Sequence, residues 1–562
     1  MKLINIIPIH LLLFLHCTHA TVLPKDGAPS IPRDAQGISS QSRIKWTRCN
    51  LGIPKYKELE KNKAFECGNL TVPLDYTGKY SSNTTTLNLI KLKATEKSTE
   101  KAPKGSIIMN FGGPGASGVD GLLNIPPNVT ELFGGQYDLI SFDPRGTGKT
   151  LVPPGDEGSL TQTAEELVYT VQNSSSFLSD QFLAKKFNVD VFDYISTFTE
   201  IFVTRDEEFR AFRGTAFVAR DIAEIASALG EGNRINYYGA SYGTVLGQVL
   251  AGMFPDRIER MVLDGNLLAD DYVKNLGLDS IRDAEKALYH FYDECMAAPN
   301  NTCHSANKLP KERDDFLKVL LKRVFIVCTG VGGGLGRPKS LWLTTWVLGA
   351  LYDLKGYLKL DELIDTALEG NRSKCPQVTD RLVNITTPWN PQSDLAHLAI
   401  FCTDTTFRAE NIEDIDSWRH DYEQATHNPF FHPVLLTRSA CSRWNIYAAE
   451  GINLTSLSRV ETKNPILLVN GEYDPVTPLS HAQKISARFP GSQVVVHGGV
   501  GHGLFNHPSI CTLWIVADYF LTGELPPAGT TCEPELSAFE VVESLRDEGA
   551  GLTKKRNIPI LL

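Results

Sequence analysis

Nowhere in the 562 residues do Lys and Arg gather into a dense block, and the formal net charge is −10 at pH 7. An acidic chain without a basic patch has no electrostatic footprint for a nucleic-acid backbone or an anionic membrane surface, so neither is an expected partner. No run is long and apolar enough to cross a bilayer, and Ile558-Pro559-Ile560-Leu561-Leu562 is too short for a lipid-anchor signal. No internal repeat recurs, and the scattered cysteines do not have zinc-ligand spacing. Neither a metal nor an organic cofactor is expected. What is present is 42 % hydrophobic and 21 % charged residues, ordinary for a globular protein. The length fits a large core plus an inserted domain.

Residues 1–20 read as a signal peptide. Lys2 supplies the positive start, Leu3 to Leu15 the apolar run, and Thr18-His19-Ala20 the small residues around a cut after Ala20. A membrane anchor is disfavoured because Asn5, Pro8 and His10 interrupt a run that is already short. A secreted, extracellular protein is therefore expected. Removing Cys17 with this segment leaves an even ten of the 11 cysteines, as disulfides in an oxidising compartment require. The short separations predict Cys49–Cys67, Cys295–Cys303 and Cys511–Cys532, with Cys328, Cys375, Cys402 and Cys441 pairing among themselves in an open order. Eight Asn-x-Ser/Thr sequons, at Asn69, Asn83, Asn128, Asn173, Asn300, Asn371, Asn384 and Asn453, predict surface glycans.

Residues 21–100 form a polar leader followed by an alternating β section such as Thr84 to Leu92. From 101 to 265 strand-like runs alternate with helix-like ones: Ser106–Asn110, Tyr137–Phe142, Arg234–Tyr238 and Arg260–Leu263 read as strands. Val218, Ile222, Ile225 and Leu229 place one apolar stripe on a helix. Between 266 and 440 the rhythm turns to long amphipathic stretches (Asp279–Tyr292, Phe316–Phe325, Thr344–Gly370), read as a mostly helical insertion. Strands resume at Ile466–Asn470 and Gln493–His497 within 441–535, and 536–562 reads as a charged, loosely attached tail. Strands alternating with helices imply a mainly parallel sheet covered on both faces, an α/β fold.

The pentapeptide Gly239-Ala240-Ser241-Tyr242-Gly243 lies between a strand-like and a helix-like run, where a strained turn lifts a serine hydroxyl clear of the backbone. Such a hydroxyl needs a base, ordinarily an imidazole whose tautomer is fixed by a carboxylate. Later strand-end loops supply them in chain order: Asp474 in Gly471–Pro478, and His502 between two glycines. Asp143, in Asp143-Pro144-Arg145-Gly146, precedes the serine and is read, with Arg145, as shaping a neighbouring loop. His497 and His507 are rival imidazoles read as structural. Oxyanion donors are expected at the Tyr242 N–H and, in the loop Gly112-Gly113-Pro114-Gly115, at the Gly113 N–H.

Four separated stretches resemble the secreted tripeptidyl aminopeptidase branch of the prolyl-aminopeptidase-like α/β-hydrolases: Cys67 to Tyr76, Gly112 to Gly118, Tyr237 to Gly247 and Asp474 to Pro478. The segment from Gly501 through Cys511 to Cys532 is similar to that branch's C-terminal region. The resemblance covers roughly residues 46 to 535. It implies an α/β-hydrolase fold with a mainly parallel central sheet and an inserted helical cap at 266–440. It also implies a Ser241–Asp474–His502 triad, and cap carboxylates that bind the free amine of a peptide. Lys149 to Pro154 departs from the branch's pattern, and the cap acids, Asp270 and Asp271 included, carry no motif that selects an amine anchor. The expected activity is release of residues or short peptides from free N-termini through an acyl-enzyme. Hydrolysis of an ester, lactone or thioester is the alternative, and a non-catalytic hydrolase-fold binding protein the remote one.

Overall fold

The computed structural model describes residues 44–549, apart from 152–208, 330–340, 379–390, most of 419–440 and several shorter stretches. The expected signal peptide and the closing residues 550–562 lie outside the described residues. Ten strands form one sheet: β1 (Thr47–Arg48), β2 (Phe65–Pro73), β3 (Thr84–Leu92), β4 (Gly105–Asn110), β5 (Tyr137–Phe142), β6 (Ile235–Ala240), β7 (Ile258–Asp264), β8 (Leu467–Tyr473), β9 (Gln493–Val500) and β10 (Thr531–Cys532). Their order is β1-β2-β3-β5-β4-β6-β7-β8-β9-β10. The first three pair antiparallel, as does β3 with β5; every later pairing is parallel. This is the mainly parallel α/β sheet expected from the alternation of strand-like and helix-like runs, in the α/β-hydrolase arrangement that the resemblance implies.

Burial explains that alternation. Successive residues of each central strand point to opposite faces, and both faces are dry. Ile108, Ile140, Tyr237, Met261 and Leu468 belong to one core with helices α2 and α3. Ile107, Leu139, Tyr238, Val262 and Leu467 belong to the other, with α1 and α11. Among the described residues the α-helices are, in chain order, α1 (Gly118–Leu123), α2 (Thr215–Leu229), α3 (Tyr242–Met253), α4 (Ala269–Lys274), α5 (Ala284–Ala297), α6 (Arg313–Val319), α7 (Leu341–Ala350), α8 (Leu354–Leu368), α9 (Pro391–Asp404), α10 (Leu479–Ser486), α11 (Ile510–Thr522) and α12 (Ala538–Gly549). The predicted stripe on α2 is buried at Val218, Ile222 and Ile225 and partly so at Leu229.

Helices α4 to α9 are inserted between β7 and β8, and α5, α7 and α8 share a core of their own. The expected single stretch Thr344–Gly370 is two helices. Asp353 caps α8, accepting from Gly356 N–H at 2.7 Å, and Gly356 has no room for a Cβ, which would lie 2.1 Å from Ala350 O. The expected tail is also corrected: α12 buries Phe539 against Phe291 and Tyr357 and Val542 within the same cap core, so apolar spacing anchors this charged segment to the cap. Five disulfides form, the three predicted ones plus Cys328–Cys375 and Cys402–Cys441. Among the described residues no helix is long and apolar enough to cross a membrane.

Candidate active site

Chain order reverses at β4, which has β5 on one side and β6 on the other, and the loops leaving such a point open a crevice at the carboxyl ends of the strands. Ser241 stands there, between β6 and α3, with φ 57° and ψ −125°. A non-glycine residue in that region is strained and is held only by its surroundings. The Ser241 N–H donates to Asp264 O at 2.9 Å, and Ser241 O accepts from Thr244 N at 2.8 Å and Thr244 Oγ1 at 2.6 Å. The flanking glycines are steric necessities. A Cβ on Gly239 would lie 2.3 Å from Gly243 O, and one on Gly243 would lie 2.7 Å from Asn110 O.

The glycine loop after β4 closes over this turn. Gly112 has φ +99°, and a Cβ there would sit 2.8 Å from both Ala240 O and Ser241 Cβ, and 3.4 Å from Ser241 Oγ. Gly113 follows at φ +108°. Tyr242 opens α3, so its N–H is among those that a helix leaves unpaired.

His502 and Asp474 arrive from the neighbouring strand ends. β8 runs to Tyr473 rather than to Asn470, because its pairing with β9 continues across an irregularity at Gly471–Tyr473, so Asp474 follows the strand directly. β9 likewise extends to Val500, which puts His502 two residues past it. Asp474 is fully buried and accepts from Val476 N at 3.0 Å, Thr477 N at 2.8 Å and His502 Nδ1 at 2.8 Å. Thr477 Oγ1 is 3.2 Å from the same nitrogen. Burial pulls the His502 pKa down, but the charge and hydrogen bond of Asp474, with the charge of Asp264, outweigh it and raise the value above that of an ordinary imidazole. A Cβ on Gly265 would lie 3.1 Å from His502 Cε1. Asp264 and Gly265 thus border Ser241 on one side and His502 on the other. Among the described contacts Ser241 Oγ is not hydrogen-bonded to the imidazole.

The rival residues are placed elsewhere. Asp143 is buried under α1 and accepts from Ser117 Oγ at 2.6 Å, Lys149 N at 2.9 Å and Val119 N at 3.2 Å. Arg145 is fully buried, bidentate to Asp221 at 2.7 and 2.8 Å. His497 bonds Thr512 Oγ1 and His507 O, and His507 bonds Val500 N and Leu536 O, so each ring has both nitrogens occupied. In the cap, Asp270 pairs with Arg488 at 2.6 Å, and Asp271 accepts from Ser280 Oγ and Gly277 N. Of the sequons, Asn69, Asn83 and Asn453 are exposed and Asn371 is half-buried; Asn173, Asn300, Asn384 and the Asn128 side chain lie outside the described residues.

Two residues beside the site escaped the sequence reading. Asp264, buried at the end of β7, accepts from Tyr238 OH at 2.6 Å and from Leu504 N at 3.1 and 3.2 Å, and burial pushes its pKa up to about 6. Its strand-end position in Asp264-Gly265 was the available signal. Tyr352, between α7 and α8, accepts from His502 N at 2.8 Å and sets its ring edge against the imidazole, 5.3 Å between centroids. No local pattern marks that cap residue.

Residues 105–286 match the family model described as alpha/beta hydrolase fold, a span from β4 to the start of α5 that contains Ser241. Residues 428–532, with Asp474 and His502, match the one described as TAP-like protein. The chain is similar to the tripeptidyl aminopeptidase of Streptomyces lividans, 25 % identical over 531 residues covering 89 % of this chain and 90 % of the relative. It is 24 % identical to serine protease Hip1 of Mycobacterium tuberculosis over 526 residues, 87 % and 91 % of the two chains. The putative hydrolase YuaR of Escherichia coli is 25 % identical over 495 residues, 83 % and 88 %.

Proposed function

We propose that this chain, with its α/β-hydrolase fold and its match to a TAP-like protein model, uses Ser241, His502 and Asp474 to release residues or short peptides from free N-termini. The observation that carries this reading is the 2.8 Å His502 Nδ1–Asp474 Oδ2 bond beside a strained Ser241 at one sheet edge. Because the carboxylate can only accept, Nδ1 holds the ring proton and Nε2 keeps its lone pair for the Ser241 hydroxyl. Ser241 Oγ bonds to the scissile carbonyl carbon as its proton passes to His502 Nε2. The C–N bond then breaks, and the departing amine takes that proton. Water repeats the sequence on the acyl-enzyme and regenerates the serine. Gly113 and Tyr242 N–H groups receive the negative charge on the carbonyl oxygen in both halves.

Peptidase homologues of near-full length support a peptide substrate. Residues 266–440 act as the cap that confines substrate, with 101–265 and 441–535 as the two parts of the core. The five disulfides fit an extracellular protein delivered by residues 1–20, with glycans at the exposed sequons. Two assays test the reading. A fluorophosphonate probe should label the wild type and not Ser241→Ala. Peptidyl fluorogenic substrates should turn over with a free N-terminus and not when acetylated. Turnover of p-nitrophenyl esters alone would make it an esterase, and an unlabelled wild type would make it a binding module.

A further inference from the structure

One helix of the cap contacts the immediate neighbours of both residues expected to bind the oxyanion, Pro114 beside Gly113 and Thr215 beside Tyr242. Midway along α9, His397 Nδ1 lies 3.0 Å from Pro114 O, in the glycine loop immediately after Gly113. A carbonyl only accepts, so this nitrogen carries the proton and donates. Two turns along, Asp404 accepts from Thr215 N at 3.0 Å, from Thr215 Oγ1 at 2.6 Å and from Tyr272 OH at 3.0 Å. Thr215 Oγ1 has a single proton and gives it to Asp404, so the Tyr242 hydroxyl, 2.6 Å away, donates to Thr215. An aromatic row runs the same route. His397 stacks on Phe401 (5.6 Å, 11°), Phe401 meets Tyr272 edge-on at 5.1 Å, and Tyr272 packs on Tyr242 at 5.5 Å. The Cys402–Cys441 disulfide fixes the helix between these contacts.

We propose that α9 sets the oxyanion hole, His397 holding the Gly113–Pro114 loop and Asp404 holding Tyr242, so that the cap positions both backbone donors. The inference rests on the reading of Ser241 as nucleophile. The two donors come from different elements, the loop after β4 and the first residue of α3. Their N–H vectors must converge on one oxygen to within a few tenths of an ångström for the electrostatic gain to be full. Burial lowers the His397 pKa and so favours the neutral ring; with Nδ1–H donating to Pro114 O, it acts as a positioning residue.

The test uses His397→Phe, which keeps the stacking on Phe401 and removes the donor, and His397→Asn, whose amide restores an N–H. With a free-N-terminal peptide substrate, His397→Phe should lower kcat about 10- to 100-fold, short of the ~10²–10³ cost of deleting a donor. KM should change less than about twofold, since ground-state binding is untouched. The affinity of a peptide aldehyde, which forms the same oxyanion on Ser241, should fall by the same factor as kcat. His397→Asn should recover most of both. Tyr242→Phe, which cuts the other arm and keeps the core filled, should lower kcat with the same kcat–aldehyde parallel. A His397→Phe protein within twofold of wild-type kcat, or a loss of kcat that His397→Asn does not restore, overturns the proposal. If His397→Phe does not fold, an unchanged kcat in Tyr242→Phe overturns it. Failure of the probe to label wild-type Ser241 would instead remove the nucleophile reading itself.

Discussion

Gly112→Ala should separate the geometry of the glycine loop from the general cost of a strained backbone. At φ +99° an L-residue is already disfavoured, and its Cβ would stand 2.8 Å from Ala240 O and Ser241 Cβ, where real Cβ atoms do not go. The backbone conformation alone costs about 1–3 kcal/mol. The clash is with main chain and with the Ser241 side chain, so it can be relieved only by moving the loop away from Ser241. Moving it withdraws the Gly113 N–H, and losing one oxyanion donor costs about 2.7–4 kcal/mol, or ~10²–10³ in kcat. Gly370→Ala is the control. That glycine has φ +70° with nothing within 4 Å of its would-be Cβ, so it should cost about 1–2 kcal/mol of stability and leave kcat unchanged. The measurements are kcat on a free-N-terminal peptide and denaturant unfolding of both variants. A folded Gly112→Ala enzyme with wild-type kcat would refute the reasoning.

Asp264→Asn removes a negative charge that helps raise the His502 pKa, so the acid limb of the kcat/KM–pH profile should move to lower pH and plateau kcat should fall; an unmoved limb refutes the coupling. Asp221→Asn leaves the fully buried Arg145 without its counter-charge and should destabilise by about 3–5 kcal/mol in denaturant unfolding, as breaking a buried pair does. His497 is buried neutral with its pKa lowered to about 4 by desolvation. Its contribution is therefore complete above the unfolded value of 6.5 and lost as pH falls towards 4. Unfolding free energies of wild type and His497→Asn should accordingly converge over that window, and a pH-independent gap would contradict the assignment. Asp264 and Asp404, both raised to about 6, lose a penalty over the same range and cancel in that comparison.

Much of the core was legible because burial on both faces forces its strands into short β-branched and aromatic runs. β3 and β5 fall at their expected bounds, and the glycines at 239 and 243 announce the close packing found around the Ser241 turn. The ends of β8 and β9 were not legible. Gly471 and Glu472 are poor strand formers, yet pairing with β9 and the stacking of Tyr473 on His290 at 3.6 Å carry the strand on. The break between α7 and α8 was missed although Asp353 is a helix-capping residue in the right place. Three disulfides followed from short separations, whereas the pairing of Cys328, Cys375, Cys402 and Cys441 depends on which helices lie side by side.

By itself the sequence determined the class of fold, the serine on its turn, and a carboxylate and an imidazole in the order that follows it. These depend on local matters: hydrophobic period, the conformational freedom of glycine, and residue type at strand ends. Only the tertiary structure decided that His502 meets Asp474 at 2.8 Å, that Asp264 bonds both Ser241 N and Leu504 N, and that His397 reaches the glycine loop and Asp404 reaches Tyr242 through Thr215. Those contacts join residues up to several hundred positions apart. Their geometry is set by how the sheet orders its strands and where the cap helices come to rest, and no nearest-neighbour pattern encodes either.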